Sequence, residues 1–300
     1  MNVIEQVIGF CCAGEQLVGV ACVPEQAGSI GVIVVVGGPQ YRVGSHRQFL
    51  LLSRALASAG YPVLRFDYRG MGDSSGELQN FQNVDDDIAA AIDAFVAQYP
   101  EVTRVVLWGL CDAASASLLY LDARRDSRVA GLCLLNPWVR SDTSLAKTHM
   151  KHYYGQRLFQ RNFWKKFLMG KIEVVKVISG LISNWRMTRR AVGAKAQATE
   201  KEVFQNRMAR ALTDFKGSAI FILSGNDYTA KEFDQYVADH SMWHGVLDKP
   251  SWNRVTLPQA DHTFSSAAWR ADVARCTLDW LTHVGAVDGE VRVAVAGRGE

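Results

Sequence analysis

The sequence predicts an α/β fold, in which a mostly parallel sheet carries helices on both faces and a helical cap is inserted into the chain. Apolar, strand-like runs alternate with helical patterns along most of the sequence, an arrangement typical of parallel sheets. The run at 30–36 is apolar throughout and ends at a Gly-Gly-Pro turn, as expected for a strand buried on both faces. A helical and basic stretch between residues 136 and 218 interrupts the alternation.

The other elements follow from local patterns. Residues 3–10 and 17–23 alternate and are rich in β-branched side chains, which predicts an antiparallel hairpin at one edge of the sheet. Residues 67–76 are rich in glycine and form a loop. The remaining strands are predicted at 62–66, 104–108, 129–135, 218–223 and 253–257, and the helices at 47–59, 84–98, 113–123, 229–239 and 266–283.

The predicted α/β core comprises residues 1–137 and 217–285. The predicted cap comprises residues 138–216, and residues 286–300 are predicted to form a loose C-terminal tail. A structureless loop as long as the cap would be unusual in a compact domain, so the insertion is expected to fold. Either its apolar face simply covers the core, or the cap is a lid and docking surface for an acyl chain, a membrane or a polysaccharide. Its basic side chains are Lys165, Lys166, Lys171, Lys176, Arg186, Arg189 and Arg190.

The composition argues against several classes of protein. Of 300 residues 48% are hydrophobic and the net charge is +3, so no nucleic-acid partner is expected. The six cysteines form no Cys-x-x-Cys pair, which argues against a zinc site or a disulfide framework, and reduced thiols suit a cytoplasmic protein. Neither a signal peptide nor a membrane span is predicted, because the sequence has no basic start with an apolar run and no long uncharged apolar stretch.

Cys111 is the candidate nucleophile. The strand at 104–108 leads into Gly109-Leu110-Cys111-Asp112-Ala113 and then into a helix of small residues. This pattern resembles the nucleophile elbow Gly-x-Ser-x-Gly, with cysteine in place of serine. Small neighbours let strand and helix approach closely, and a helix N-terminus with a nearby histidine favours the reactive thiolate. The alternative is a cysteine that packs as a small apolar side chain.

A second segment matches the serine motif by its letters alone. Residues 72–76 (GDSSG) fit Gly-x-Ser-x-Gly, but they lie several residues beyond a strand, and the next helix begins near residue 84. An elbow requires a strand, a tight turn and a helix in immediate succession. We therefore interpret Ser74 as part of a loop that shapes the fold.

Asp227 and His262 complete a candidate catalytic triad with Cys111. Asp227 follows the strand at 218–223, where an acidic side chain faces the ligand crevice of a parallel sheet. It could instead cap the next helix. His262 lies in the loop between the last strand and the last helix, and the order nucleophile, acid, base is that of α/β hydrolases. Asp261 is a competing acid, although a sequence neighbour rarely reaches the far side of the ring.

An oxyanion hole requires two backbone N–H groups beside the nucleophile. The first is expected from Asp112, the residue after Cys111. The second is expected from the loop after the strand at 30–36. Because Pro39 has no N–H, Gln40 is the preferred donor and Gly38 the alternative.

Over its whole length the chain resembles the α/β-hydrolase superfamily, and more narrowly the exosortase A system-associated hydrolase 1 family. The resemblance implies the α/β-hydrolase fold and a place among genes for exopolysaccharide and exosortase-sorted proteins, but it supplies no substrate. Dienelactone hydrolases share a cysteine in the elbow and are a looser analogy. The segments that carry the resemblance are residues 37–49 (GGPQYRVGSHRQF), 64–74 (LRFDYRGMGDS) and 108–114 (WGLCDAA).

Together these residues predict a hydrolase that cleaves a small-molecule ester or thioester through an acyl-enzyme on Cys111. This chemistry requires neither a metal nor an organic cofactor. Two alternatives stay open: an acyltransferase that passes the acyl group to a saccharide or another acceptor, and a non-catalytic binding module on the hydrolase fold. The binding module would form no covalent adduct at Cys111.

Overall fold

The computed structural model describes residues 2–38, 40–140 and 203–296, with side chains described up to residue 284. Within these residues a single sheet contains eight strands: β1 (Val3–Cys12), β2 (Glu15–Pro24), β3 (Ile30–Val35), β4 (Val63–Phe66), β5 (Arg104–Leu110), β6 (Val129–Leu135), β7 (Ser218–Ser224) and β8 (Trp252–Leu257). Their spatial order in the sheet is β1-β2-β4-β3-β5-β6-β7-β8.

The sheet is antiparallel only at one edge. β1 pairs antiparallel with β2, and β2 pairs antiparallel with β4. Every pair from β4 to β8 is parallel. The structure thus confirms the predicted fold, including the hairpin at the edge. Because the carboxyl ends of parallel strands meet at one edge of the sheet, the segments that follow β3, β5, β6, β7 and β8 converge there.

Helices cover both faces of the sheet. The described helices are α1 (Gln48–Ser58), α2 (Asp85–Gln98), α3 (Asp112–Arg124), α4 (Phe204–Asp214), α5 (Tyr228–Asp239) and α6 (Ala267–Ala296). One apolar cluster joins α2, α3, α4 and α5 to one face, and its members include Ile88, Leu118 and Phe233. A second cluster joins α1 and α6 to the other face through residues such as Leu56 and Trp280. This two-sided burial explains why the central strands are apolar at nearly every position.

Buried ion pairs hold the glycine-rich loop after β4. Asp67 is fully buried and accepts a hydrogen bond from the Arg42 backbone N–H at 2.7 Å, and it also pairs with the Arg42 guanidinium. Asp87, in the acidic first turn of α2, is fully buried and pairs with Arg69 at 2.6 Å. Buried carboxylates are stable only when they are paired and hydrogen-bonded. The two pairs therefore fix this loop beside the loop that follows β3.

Most of the predicted cap, residues 141–202, lies outside the described residues. The end of the predicted cap that is described contains α4, whose buried Gln205 donates from Nε2 to the Val139 carbonyl at 3.1 Å. The last helix, α6, continues to Ala296, into the stretch for which the sequence predicts a loose tail. Among the described helices, none combines the length and the hydropathy that crossing a bilayer would require.

Candidate active site

Cys111 occupies a strained turn between β5 and α3. Its backbone has φ 63° and ψ −123°, a conformation that non-glycine residues rarely adopt. A Cβ atom on Gly109 would lie only 2.6 Å from the Ala113 carbonyl carbon, so this position requires glycine. Ala113 itself is fully buried, and the turn closes although it has alanine where glycine is commoner. Such backbone strain costs on the order of 1–3 kcal/mol and is typical of functional sites.

Asp227 and His262 form a directly hydrogen-bonded pair. His262 Nδ1 lies 2.8 Å from Asp227 Oδ2. Asp227 follows the end of β7 and His262 follows the end of β8, so the parallel register brings two distant segments together. Burial alone would raise the pKa of Asp227, but the hydrogen bond from His262 and the amides of Thr229 and Ala230 outweigh it and lower that pKa.

The His262 ring also interacts with Cys111, and this interaction affects the pKa of the ring. The pKa of His262 is raised from 6.5 to about 10, first by the hydrogen bond to Asp227 and next by the hydrogen bond to Cys111, against the opposing effect of burial. The raised pKa favours the protonated, cationic form of the ring, which is hydrogen-bonded to the Asp227 carboxylate and interacts with the half-buried Cys111. A cation beside sulfur stabilises the thiolate, which is the reactive form of cysteine.

Asp227 both caps α5 and hydrogen-bonds to His262. Its Oδ1 accepts from the Thr229 N–H at 3.1 Å and its Oδ2 from the Ala230 N–H at 3.2 Å, so it caps α5 as well as binding His262. The competing Asp261 is engaged elsewhere, because its carboxylate accepts from the Ser265 N–H at 3.0 Å and from the Ser265 hydroxyl.

Ser74 lies in the loop between β4 and α2, hydrogen-bonded to backbone groups on both sides. Its hydroxyl donates to the Asp67 carbonyl at 2.8 Å and accepts from the Val18 N–H at 3.0 Å. The side chain is also buried. The serine motif at 72–76 therefore ties the glycine-rich loop to the hairpin.

The residues predicted to form the oxyanion hole lie on two converging segments. The Gly38 N–H donates to Oδ2 of the Asp112 side chain at 3.0 Å. The side chain of Gln40 instead points toward the start of α1, where its Oε1 accepts from the Ser45 N–H at 3.0 Å. The donor role expected of the Gln40 backbone N–H stays a prediction.

Sequence reasoning missed a buried polar network centred on Asn136. This residue follows β6 directly, is fully buried and has a positive φ of 44°. Its Nδ2 donates to Ser224 Oγ at 2.8 Å and to the His262 carbonyl at 3.2 Å, and its Oδ1 accepts from the Ser224 N–H at 2.8 Å. Ser224 Oγ in turn donates to the Asp261 carbonyl at 2.9 Å. The only sequence signal was an asparagine immediately after a buried strand.

Metal binding has no support in the described part of the chain. There, no group of three or more His, Cys, Asp or Glu side chains lies close enough together to hold a metal ion. The side chains that meet here are those of Asp227 and His262, joined by a hydrogen bond of 2.8 Å.

Several solved structures share this architecture. An esterase from Pyrococcus furiosus has a TM-score of 0.60 at 15% identity, over 94% of this chain and 93% of that one. A dienelactone hydrolase from Anabaena variabilis has a TM-score of 0.58 at 14% identity, over 94% and 99%. An acylaminoacyl peptidase from Pyrococcus horikoshii has a TM-score of 0.60 at 13% identity, over 94% of this chain and 41% of that one. At such identities the likeness shows a common fold.

A comparison with curated protein sequences gave no match. A protein-family comparison did: residues 30–214, more than half of the chain, match the family described as serine aminopeptidase, S33. The matched stretch runs from β3 through the elbow to α4. The family description names serine, whereas the elbow of this chain carries Cys111. On the extent of this match, the chain belongs to the serine aminopeptidase S33 family of α/β hydrolases.

Proposed function

We propose that this chain hydrolyses a carboxylic ester or thioester through an acyl-enzyme on Cys111. In this proposal His262 carries protons and Asp227 orients the His262 ring. The observation that supports it most is the line of contacts from the Asp227 carboxylate, through the His262 ring, to a sulfur at a strained strand–helix turn. Nucleophilic catalysis requires a nucleophile, a base within reach and a group that orients the base.

The proposed reaction has an acylation step and a deacylation step. The Cys111 thiolate attacks the carbonyl carbon, so that a C–S bond forms and the C=O π pair moves onto oxygen. When this oxyanion collapses, the bond to the alcohol or thiol breaks, and the leaving group takes a proton from the His262 imidazolium. Water then attacks the acyl-enzyme, the neutral His262 takes a proton from that water, and the departing sulfur becomes thiolate again.

The choice of ester or thioester over amide follows from the chemistry of sulfur. A thiolate is a good leaving group as well as a good nucleophile, so a tetrahedral intermediate expels sulfur in preference to a poor amine leaving group. An alkoxide or thiolate leaving group competes better, particularly when His262 protonates it. The cationic state of His262 at neutral pH supports this assignment, because the ring already holds the proton that the leaving group needs.

Alkylation followed by intact mass tests the proposal. One equivalent of iodoacetamide should add its first carboxamidomethyl group at Cys111, ahead of the exposed Cys11, and abolish hydrolysis of p-nitrophenyl acetate and of an acetyl thioester. Cys111→Ala and Cys111→Ser should both lose at least about 100-fold in kcat/KM. His262→Ala should slow alkylation at neutral pH. The matched control is Cys11→Ala at an exposed cysteine of β1, which should retain activity. Full activity in Cys111→Ala would overturn the proposal, whereas a parent protein with no adduct at Cys111 and no activity on either substrate would favour a non-catalytic binding module.

The acceptor and the physiological setting are part of the same proposal. The resemblance of residues 37–49, 64–74 and 108–114 supports a role in cytoplasmic metabolism linked to exopolysaccharides or exosortase-sorted proteins, where a saccharide hydroxyl could replace water as acceptor. Product analysis with water alone and with added sugars distinguishes hydrolysis from acyl transfer.

Co-sedimentation with anionic vesicles, with and without the basic residues of the cap, tests the proposed membrane contact.

A further inference from the structure

The side chain of Asp112 reaches from the first turn of α3 to the loop after β3. Its Oδ2 accepts from the Gly38 N–H at 3.0 Å. Its Oδ1 lies 2.2 Å from the point that a Cβ atom on Gly37 would occupy, so only a glycine at position 37 leaves room for the carboxylate. The carboxyl group is thus packed between the loop after β3 and the first turn of α3.

The donors around this carboxyl group are those that an oxyanion would use. Burial raises the pKa of Asp112, while the hydrogen bond from the Gly38 N–H and the nearby backbone N–H groups of Ala113 and Asp112 itself act in the opposite direction. The Asp112 N–H belongs to the residue after the nucleophile, and Gly38 lies on the loop that supplies the second donor in this fold. A carboxylate and a tetrahedral oxyanion compete for the same N–H groups because both are anionic oxygen acceptors.

We propose that Asp112 is an internal occupant of the oxyanion hole, whose carboxylate must swing out before a substrate carbonyl can bind. The inference rests on the proposed acyl-enzyme function, since an oxyanion hole matters only if Cys111 attacks a carbonyl. Asp112 then limits turnover of small esters, and a substrate must provide enough binding free energy to displace it.

Two further observations indicate that the hydrogen bonding around the carboxyl group is incomplete. Oδ1 is buried and has no hydrogen-bond partner among the described residues. The hydroxyl of Tyr68, which is 3% exposed, likewise has no partner there, and burial followed by the charge of Asp112 holds its pKa well above the usual value. A buried acceptor without a donor is costly, so the occupied state of the hole is less stable than a fully satisfied one and can be displaced.

The test compares reactions that need the hole with one that does not. An aldehyde such as butyraldehyde adds the Cys111 sulfur to its carbonyl carbon, the π pair moves to oxygen, and this oxygen must occupy the hole. Alkylation by iodoacetamide displaces iodide and forms no oxyanion. In Asp112→Ala we expect kcat/KM for p-nitrophenyl acetate and the affinity for the aldehyde to rise together by about 10-fold, while the alkylation rate constant changes by less than about 2-fold.

Asp112→Asn is the matched variant, because it keeps the shape of the side chain and removes its charge. We expect an intermediate gain of about 3-fold, since a neutral acceptor binds the Gly38 N–H less strongly than a carboxylate does. This variant also answers the question if Asp112→Ala fails to fold.

The outcomes separate this inference from the proposed function. Unchanged or reduced turnover in folded Asp112→Ala or Asp112→Asn, with Cys111 still required for activity, overturns the occupant role alone. An activity that survives both Cys111→Ala and alkylation overturns the proposed function instead. A parallel gain in turnover and aldehyde affinity at a constant alkylation rate supports the inference, because a general loosening of the site would alter alkylation as well.

Discussion

At the scale of single residues, the proposed reaction depends on the charge of His262. The pKa of its ring is raised to about 10, with the Asp227 hydrogen bond as the largest cause. A raised pKa means that the cation persists through neutral pH and disappears only as the pH rises past that value. In the proposed reaction such a cation protonates the leaving group, which suits a thiolate nucleophile better than a hydroxyl that would need a neutral base.

The rate of acylation should accordingly fall at high pH. Because the acid form of His262 is lost as the pH rises through about 10, we expect single-turnover acylation of a model thioester to stay level at neutral pH and to decline above that value. Rapid-mixing measurements, corrected with Cys111→Ala, provide the profile. A decline already centred near the 6.5 of an unperturbed imidazole would contradict the assigned environment of the ring.

Asp227→Asn should separate the two tasks of this residue. Asparagine retains an oxygen that can accept from the Thr229 N–H and cap α5, but it lacks the charge that stabilises the His262 cation. We expect kcat/KM to fall by about 10³-fold or more, with a free energy of unfolding within about 1 kcal/mol of the parent. The control is Asp261→Asn, for which a loss below about fivefold is expected. Comparable losses in the two variants would mean that Asp227 is not the orienting acid.

At the scale of elements, the tight junction of β5 and α3 presents the sulfur. Cys111 has a positive φ because the chain reverses within one residue, and the reversal is possible because Gly109 lets the strand touch the backbone of α3. The Cys111 N–H donates to the Leu135 carbonyl at 2.8 Å, and the Cys111 carbonyl accepts from the Trp138 N–H at 3.2 Å. Strain in the turn is thus maintained by hydrogen bonds with the last residue of β6 and with the segment that follows it.

Gly109→Ala should disrupt this junction. The added methyl group would lie 2.6 Å from the Ala113 carbonyl carbon, so α3 must move away from β5. We expect a loss of about 1–3 kcal/mol in the free energy of unfolding, and a displaced sulfur that lowers kcat by about 100-fold. Gly9→Ala in exposed β1, where a Cβ atom has nothing within 4 Å, should change stability by less than about 0.5 kcal/mol. Denaturant unfolding and ester turnover of both variants check this, and equal effects would refute it.

At the scale of the whole molecule, the carboxyl edge of the sheet is joined by side chains that bridge separate strands. Asn136 after β6 bonds to Ser224 at the end of β7 and to the carbonyl of His262 after β8. Ser224 then bonds to the carbonyl of Asp261. These buried bonds fix the histidine loop relative to the elbow, since the next residues of the Asn136 segment contact Cys111.

Asn136→Ala should therefore weaken both the fold and the alignment of the site. The buried Ser224 N–H loses its acceptor, which should cost about 1–3 kcal/mol in the free energy of unfolding. Because the histidine loop loses an anchor, kcat should fall by about 10-fold or more, whereas KM should change little. The exposed Asn226→Ala is the control and should resemble the parent in both measurements. A stable variant with unaltered kcat would exclude a positioning role for Asn136.

The sequence alone determined the parts that depend on neighbouring residues. Alternation and apolar runs predict the positions of the strands to within a few residues, as at β6. The residues around Cys111 predict a strand, a turn and a helix, because small side chains there permit a tight reversal of the chain. The order of Cys111, Asp227 and His262 also follows from position along the chain. The family match confirms that a hydrolase was the right class.

Only the tertiary structure decided which polar groups meet. The bonds from Gly38 to Asp112 and from Asn136 to His262 join residues 74 and 126 positions apart, and no local pattern encodes such distances. The sequence left Asp227 as a helix cap or as a partner of His262. In the structure one carboxylate makes both sets of hydrogen bonds, because the strand register brings the His262 ring to the residue that caps α5. A side-chain hydrogen bond requires a donor–acceptor distance that is correct to a few tenths of an ångström, and the packing of distant strands sets this distance.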